Sequence, residues 1–112
     1  MDLIGLYEPI KGYKTIRIQF WSMVTDLFSE SYFKQIYDWC DERNLKLTGH
    51  LTLEETLSGQ LTCNGACMPH YEYFHIPGID WLGRNTEDCL IQRQVASVAQ
   101  QLGKKQFICE TF

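Results

Sequence analysis

T-E-D-C-L-I-Q-R-Q-V-A-S-V-A-Q-Q-L-G-K-K-Q-F-I-C-E-T-F, Thr86 to Phe112, reads as one amphipathic helix running into one strand. Thr86 is placed to accept hydrogen bonds from the orphan N–H groups of the first turn, and Glu87 and Asp88 suit the positive end of the helix dipole. Leu90, Ile91, Val95, Val98, Ala99 and Leu102 recur at helical spacing and form the predicted buried stripe. Gly103 is the stop, since a helix ends readily on a residue free to adopt a left-handed conformation. After Lys104-Lys105, Gln106 to Cys109 forms a strand that carries Glu110-Thr111-Phe112 at its end.

Working outward, the same alternation recurs. Leu45-Lys46-Leu47-Thr48-Gly49-His50-Leu51 reads as a strand, with Leu45 and Leu47 on one side and Thr48 and His50 on the other. Before it, Thr15 to Asn44 is helical. Phe20, Val24, Leu27, Phe28, Phe33, Ile36, Tyr37 and Cys40 make a wide stripe suited to packing on a sheet, with a candidate break at Ser29-Glu30-Ser31 and Asn44 as C-cap. Asp2 to Tyr7 is a candidate first strand. Tyr71 to Phe74 is another, followed by a turn at Pro77-Gly78-Ile79-Asp80. Thr52 to Pro69 is the irregular part, with Glu54 and Glu55 on a short helical turn. Strands alternating with helices argue for an α/β fold of parallel βα units. Such folds set their sites at the carboxyl ends of strands. His50, Asp80 and Glu110 then share one rim, with the Thr52–Pro69 loop lying over it as a cover.

The chain has 112 residues, 45% hydrophobic, enough for one unit with a core. A formal charge of −4 with scattered Lys and Arg leaves no basic stripe to neutralise phosphates, so nucleic acid is not an expected partner. No apolar run reaches the roughly 18 residues a membrane span needs. Met1-Asp2-Leu3-Ile4-Gly5 lacks the basic and apolar regions of a signal peptide, so as written the chain is expected in the cytoplasm.

Met68 to Gly83 concentrates chemistry, with two histidines, two acids and four aromatics around Pro77-Gly78. Unpaired charges are costly in a core, and exposed apolar patches are unusual on a monomer. A lined cleft satisfies both constraints. Its rings would stack on sugar faces while His70, Glu72, His75 and Asp80 hydrogen-bond hydroxyls. The plainer alternative is an irregular, partly buried loop. Five cysteines exclude a complete disulfide framework. Cys40, Cys89 and Cys109 read as small core residues. Cys63, Cys67 and His70 offer a metal-ligand trio without the fourth ligand and paired spacing of structural zinc, so no metal site is assigned to them.

Several blocks in order carry a resemblance: Phe20-Trp21, Trp39-Cys40, Leu47-Thr48-Gly49-His50, Tyr71-Glu72-Tyr73 with Ile76 to Asp80, Gln94 to Ala99 with Gln101 to Lys105, and Glu110-Thr111-Phe112. Together, from about Ile16 to Phe112, the chain resembles the central part of the catalytic barrel of large bacterial glycoside hydrolases of family 106, the α-L-rhamnosidase-like enzymes. The ordered run is specific, whereas any single block is weak. The resemblance implies a (β/α)8 TIM barrel, which takes about 250 residues. Residues 1–112 would then be a single partial barrel segment, needing the rest of the barrel or self-associating.

That resemblance implies hydrolysis of glycosidic bonds in plant or bacterial polysaccharides by two carboxyl groups, with inversion. It makes Glu110 a catalytic candidate, as acid or base. Glu8 is its candidate partner, in a Tyr7-Glu8-Pro9 that echoes an Asp-Glu-Pro motif with Tyr7 where the family has Asp. Glu54 and Glu55 are the next choices. His50, Glu54, His70, Tyr71, Glu72 and Asp80 are the candidate substrate-binding residues. The resemblance also implies a calcium ion, and full-length relatives that are secreted or periplasmic. The isolated segment is expected to be inactive. Competing readings are a non-catalytic carbohydrate-binding or interaction module that keeps an aromatic, acidic cleft, and a stand-alone α/β domain with a Cys/His metal site.

Overall fold

The computed structural model describes residues 3–81 and 90–111. The Thr86 cap, Glu87, Asp88 and the Cys89 core position lie outside the described residues. Where a strand was expected near the N-terminus, Leu3–Leu6 forms a 3-10 turn. Gly5 packs against Ile16, and Arg17 Nε donates to the Gly5 carbonyl at 3.0 Å, which folds the segment onto the following helix rather than into a sheet.

That helix is α1 (Tyr13–Phe28), and it runs on through a π-helical turn, Ser29–Phe33, into α2 (Lys34–Asp41). The candidate break at Ser29-Glu30-Ser31 is therefore a widened turn. In an ordinary α-helix, residues five apart point about 140° away from each other. The π turn brings Phe28 and Phe33 together, with ring centroids 4.7 Å apart. The helix ends at Asn44, which takes a left-handed φ of 55° while the Leu45 N–H returns to the Cys40 carbonyl, as the cap predicts. The stripe, however, is not a face laid on a sheet. Of its members Phe33 is buried, Leu27 stays 57% exposed, and α1 packs on the N-terminal turn and on two later helices.

The sheet is parallel and has three strands in the order β1 (Thr48–Gly49), β2 (Ile76–Asp80), β3 (Ile108–Glu110). Between β1 and β2 come α3 (Leu57–Asn64), capped by the Thr56 hydroxyl accepting from Gly59 N, then α4 (Cys67–His70) and a 3-10 turn, Tyr71–Tyr73. Thr52–Pro69 is thus largely helical and packs against α1, not an open cover. α5 (Leu90–Gln101) joins β2 to β3 and buries Ile91, Val95, Val98 and Ala99, while Leu102 remains 49% exposed. Gly103, at φ 64°, ends it as expected.

The strand expected at Tyr71–Phe74 lies instead at Ile76–Asp80, across the predicted turn. Tyr71 and Phe74 are both buried, a spacing of three that one helical turn satisfies and an alternating strand does not. Pro77 is tolerated in the central strand because of the register. Ile76 bonds toward β1, so Pro77's missing N–H faces the other side, where pairing with β3 begins one residue later at Gly78↔Ile108. Gly78 is needed there, since a Cβ would lie 2.7 Å from the Gly49 carbonyl oxygen. The core gathers Phe33, Leu51, Cys67, Tyr71, Phe74, Ile79, Ile91, Val95 and Val98. Two expected core cysteines are not in it, because Cys40 is half-buried and Cys109 is exposed. No helix among the described residues is long and apolar enough to cross a membrane.

Candidate functional site

Parallel pairing brings the carboxyl ends of β1, β2 and β3 together, and with them His50, Asp80 and Glu110. Asp80 and Glu110 are register partners. His50 follows β1 directly, and its Nε2 lies 3.3 Å from Glu110 Oε2 across the central strand, with side chains 39% and 48% exposed. One ligand atom from each of the three residues falls within 4.8 Å of the others. Gly78 contributes no side chain to separate His50 from Glu110. The rim expected from the βα alternation is therefore formed.

The chemistry of the His50–Glu110 contact follows from its other bond. His50 Nδ1 lies 3.1 Å from the Leu51 carbonyl oxygen, which can only accept, so Nδ1 carries a hydrogen. In the neutral ring Nε2 is then a lone pair facing a carboxylate oxygen. Two acceptors at 3.3 Å repel unless a proton or a cation lies between them.

Glu54 stands beneath this rim rather than in it. It is 1% exposed, and its carboxylate accepts from Asp80 N at 2.6 Å, Tyr71 Oη at 2.9 Å and Leu51 N at 3.2 Å. β1 ends after Gly49, so the Asp80 N–H has no strand carbonyl to meet. The Glu54 carboxylate takes that place and ties the chain leaving β1 to the end of β2. Burial raises its pKa above the ordinary carboxylate value, opposed by these three hydrogen bonds, which favour the ionised form. Glu54 is thus a positioning residue, and its expected role in gripping substrate is not met.

Other candidates are placed away from the rim. His70 and Tyr71 are fully buried and serve the core. His70 Nε2 faces the Asn64 carbonyl at 2.8 Å and Nδ1 faces Ser29 Oγ at 2.8 Å, between the rings of Phe28 and Phe33. Burial lowers its pKa, the bond to the Asn64 carbonyl opposing. Glu72 lies at the opposite end of the sheet, where Lys104, which precedes β3, donates to the Glu72 and Phe74 carbonyls. Glu8 is exposed beyond the N-terminal turn, which packs on α1, so it is placed with that helix and not with the strand ends. His75 stacks on Tyr37 at 4.1 Å, accepts from Leu47 N and meets Asp41, locking α2 to the start of β1. The described part of that stretch, residues 68–81, is therefore a core-and-strand segment and not a lined aromatic cleft, and Leu82 and Gly83 lie outside the described residues. Trp81 is its one aromatic at the rim, half-buried, with its backbone N–H on the Glu110 carbonyl at 2.9 Å.

The cysteine–histidine trio does not meet either. Burial pushes the Cys67 thiol up to about 12, Cys63 is exposed, and both His70 nitrogens are engaged. Calcium takes six to eight oxygen ligands. The rim offers two carboxylates and an imidazole nitrogen, so these residues do not fit calcium. What sequence reasoning missed was Gly78 as a strand residue and Glu54 as a surrogate carbonyl. The signal for Gly78 was present, since glycine inside a strand often marks close backbone approach. No family model matches the chain, and neither a curated protein nor a solved structure matches it.

Proposed function

We propose that this chain is a βα segment of a glycoside-hydrolase-type TIM barrel, related to the α-L-rhamnosidase-like enzymes, and that by itself it binds sugar hydroxyls without cleaving the glycosidic bond. The observation that carries the reading is the gathering of His50, Asp80 and Glu110 at the carboxyl ends of three adjacent parallel strands. A (β/α)8 barrel builds its active site at that end. Two carboxylates and an imidazole, part exposed, are the donors and acceptors that vicinal hydroxyls require. In a complete barrel, Glu110 would exchange a proton with the glycosidic oxygen or with water.

The same geometry argues against hydrolysis by this segment alone. Inverting pairs stand roughly 6.5–9.5 Å apart to admit a water. Asp80, the carboxylate beside Glu110, approaches within 4.8 Å, and Glu8 is elsewhere. The surface also supports a segment that belongs against other structure. Its radius of gyration is 15.8 Å, against about 13 Å for a closed domain of this length. Ile108 and Phe107, on the edge strand and just before it, are 43% and 47% exposed.

The test is titration of the purified chain with L-rhamnose and an aryl α-L-rhamnoside, followed by NMR. The expected result is saturable shifts at His50, Asp80 and Glu110 with no aryl release. No shift at these residues, or shifts confined to other surfaces, refutes sugar binding at the rim. Aryl release abolished by Glu110→Gln refutes the inactive segment.

A further inference from the structure

We infer that His50, Asp80 and Glu110 form a mononuclear site for a borderline divalent transition ion, of the zinc and cobalt class, rather than for calcium. The inference goes beyond the carbohydrate reading and does not rest on it, because it concerns the three donors alone.

The donor set is the first argument. Imidazole nitrogen suits zinc, cobalt and nickel, and carboxylates complete such a set, while hard cations favour oxygen cages. Three protein ligands leave a coordination position open, which is the pattern of reactive rather than structural zinc sites.

Geometry is the second. Ligands about 2.1 Å from a tetrahedral ion stand roughly 3.4 Å from each other. His50 Nε2 and Glu110 Oε2 are already 3.3 Å apart. The whole set falls within 4.8 Å, and the side chains of His50 and Glu110 are exposed enough to turn inward.

The third argument is independent of the cluster. A ligating histidine nearly always donates its other ring N–H to a carbonyl or carboxylate, which fixes the tautomer and aims the lone pair. His50 does this, with Nδ1 on the Leu51 carbonyl at 3.1 Å. The Leu51 N–H is in turn held by Glu54, and so is the Asp80 N–H. One buried carboxylate therefore fixes the backbone behind two of the three ligands. The ion would sit between His50 Nε2 and Glu110 Oε2, which stand 3.3 Å apart.

The rim is separate from the groove of about 590 Å³ beside α5, lined by Ile79, Ala96, Phe107 and Cys109. Strand alternation puts Ile79 and Cys109 on the face opposite Asp80 and Glu110. Cys109 is thus not a fourth ligand.

The experiment is calorimetric titration of the full chain with zinc chloride, repeated with calcium chloride, and cobalt absorption spectroscopy as the readout of ligand type. Zinc is expected to bind one to one. His50→Ala and Glu110→Gln, both at exposed positions, are each expected to weaken it by about tenfold or more. Cobalt should show visible bands without intense thiolate-to-metal absorption, and calcium should not displace it. Absence of zinc binding overturns the inference. So does zinc binding that survives His50→Ala, cobalt spectra dominated by thiolate, or calcium binding as tightly as zinc. None of these readouts depends on sugar, so failure here and failure of the carbohydrate reading are distinguishable.

Discussion

Replacing Tyr71 by phenylalanine removes one oxygen and leaves the ring. In the native chain Tyr71 Oη donates to Glu54 Oε2 at 2.9 Å, and both residues are buried. A hydrogen bond to a charged group contributes about 1.5–3 kcal/mol. Little else changes, since the ring still fills its place among the core side chains. For a domain of 112 residues, each kcal/mol moves the melting midpoint by about 4 °C, so Tyr71→Phe should lower it by about 6–12 °C at neutral pH. The loss should depend on pH in a definite sense. Burial already raises the Glu54 pKa, and the Tyr71 hydroxyl opposes that rise by favouring the ionised carboxylate. The native advantage therefore belongs to ionised Glu54. It is present above the pKa of Glu54 in the folded chain and fades as the pH falls through that value. Thermal melts of both proteins from about pH 8 to about pH 4 measure it. In a double-mutant cycle, the cost of Tyr71→Phe should shrink when Glu54 is already glutamine. A loss below about 0.5 kcal/mol, or one that persists undiminished in acid, refutes the view that Glu54 works as a charged surrogate for a strand carbonyl.

Three further outcomes follow from the same geometry. His70, with its pKa lowered by burial, contributes stability that is present above the ordinary value of about 6.5 and lost as the pH falls through its folded value. An NMR titration should find its imidazole neutral well below that ordinary value, and titration at or above it contradicts the buried neutral ring. Gly78→Ala should cost about 1–3 kcal/mol, because the added methyl meets the Gly49 carbonyl and Ile108, and a melt unchanged from the native one shows that the strands separate without cost. Finally, the exposed β3 edge with Phe107 and Ile108 should drive self-association at micromolar concentration, and a sharp monomer peak in light-scattering chromatography with a cooperative melt counts against the barrel-segment reading.

Legibility along the chain tracked the range of the forces involved. The α5 stripe of Ile91, Val95, Val98 and Ala99, the Gly103 stop and the Asn44 cap were readable because spacing and left-handed turns are local properties. The shared rim was readable from order alone, since parallel βα units return each strand to the same end. The π turn at Ser29–Phe33 was visible only as a candidate break, because what it accomplishes is a contact with His70, 41 residues away.

By itself the sequence determined the buried stripe of α5, the helix stops at Asn44 and Gly103, and the arrival of His50 and Glu110 at strand ends. These rest on periodicity and backbone preference, which act over a few residues. The strand that carries Asp80, by contrast, lies at Ile76–Asp80 and not at the expected Tyr71–Phe74. Tertiary structure alone decided which polar residues face solvent and which hold the interior. Glu54 lies in a turn and Glu72 in a 3-10 turn, and nothing in the acids themselves tells them apart. One is buried because a short β1 leaves the Asp80 N–H to be satisfied, and the other is exposed at the far end of the sheet. Likewise His50 and His70 differ only in what the fold sets against them: a carboxylate at an open rim, or a serine hydroxyl and a carbonyl between two phenylalanine rings. An unsatisfied buried donor is a property of the assembled strands, and no window of sequence contains it.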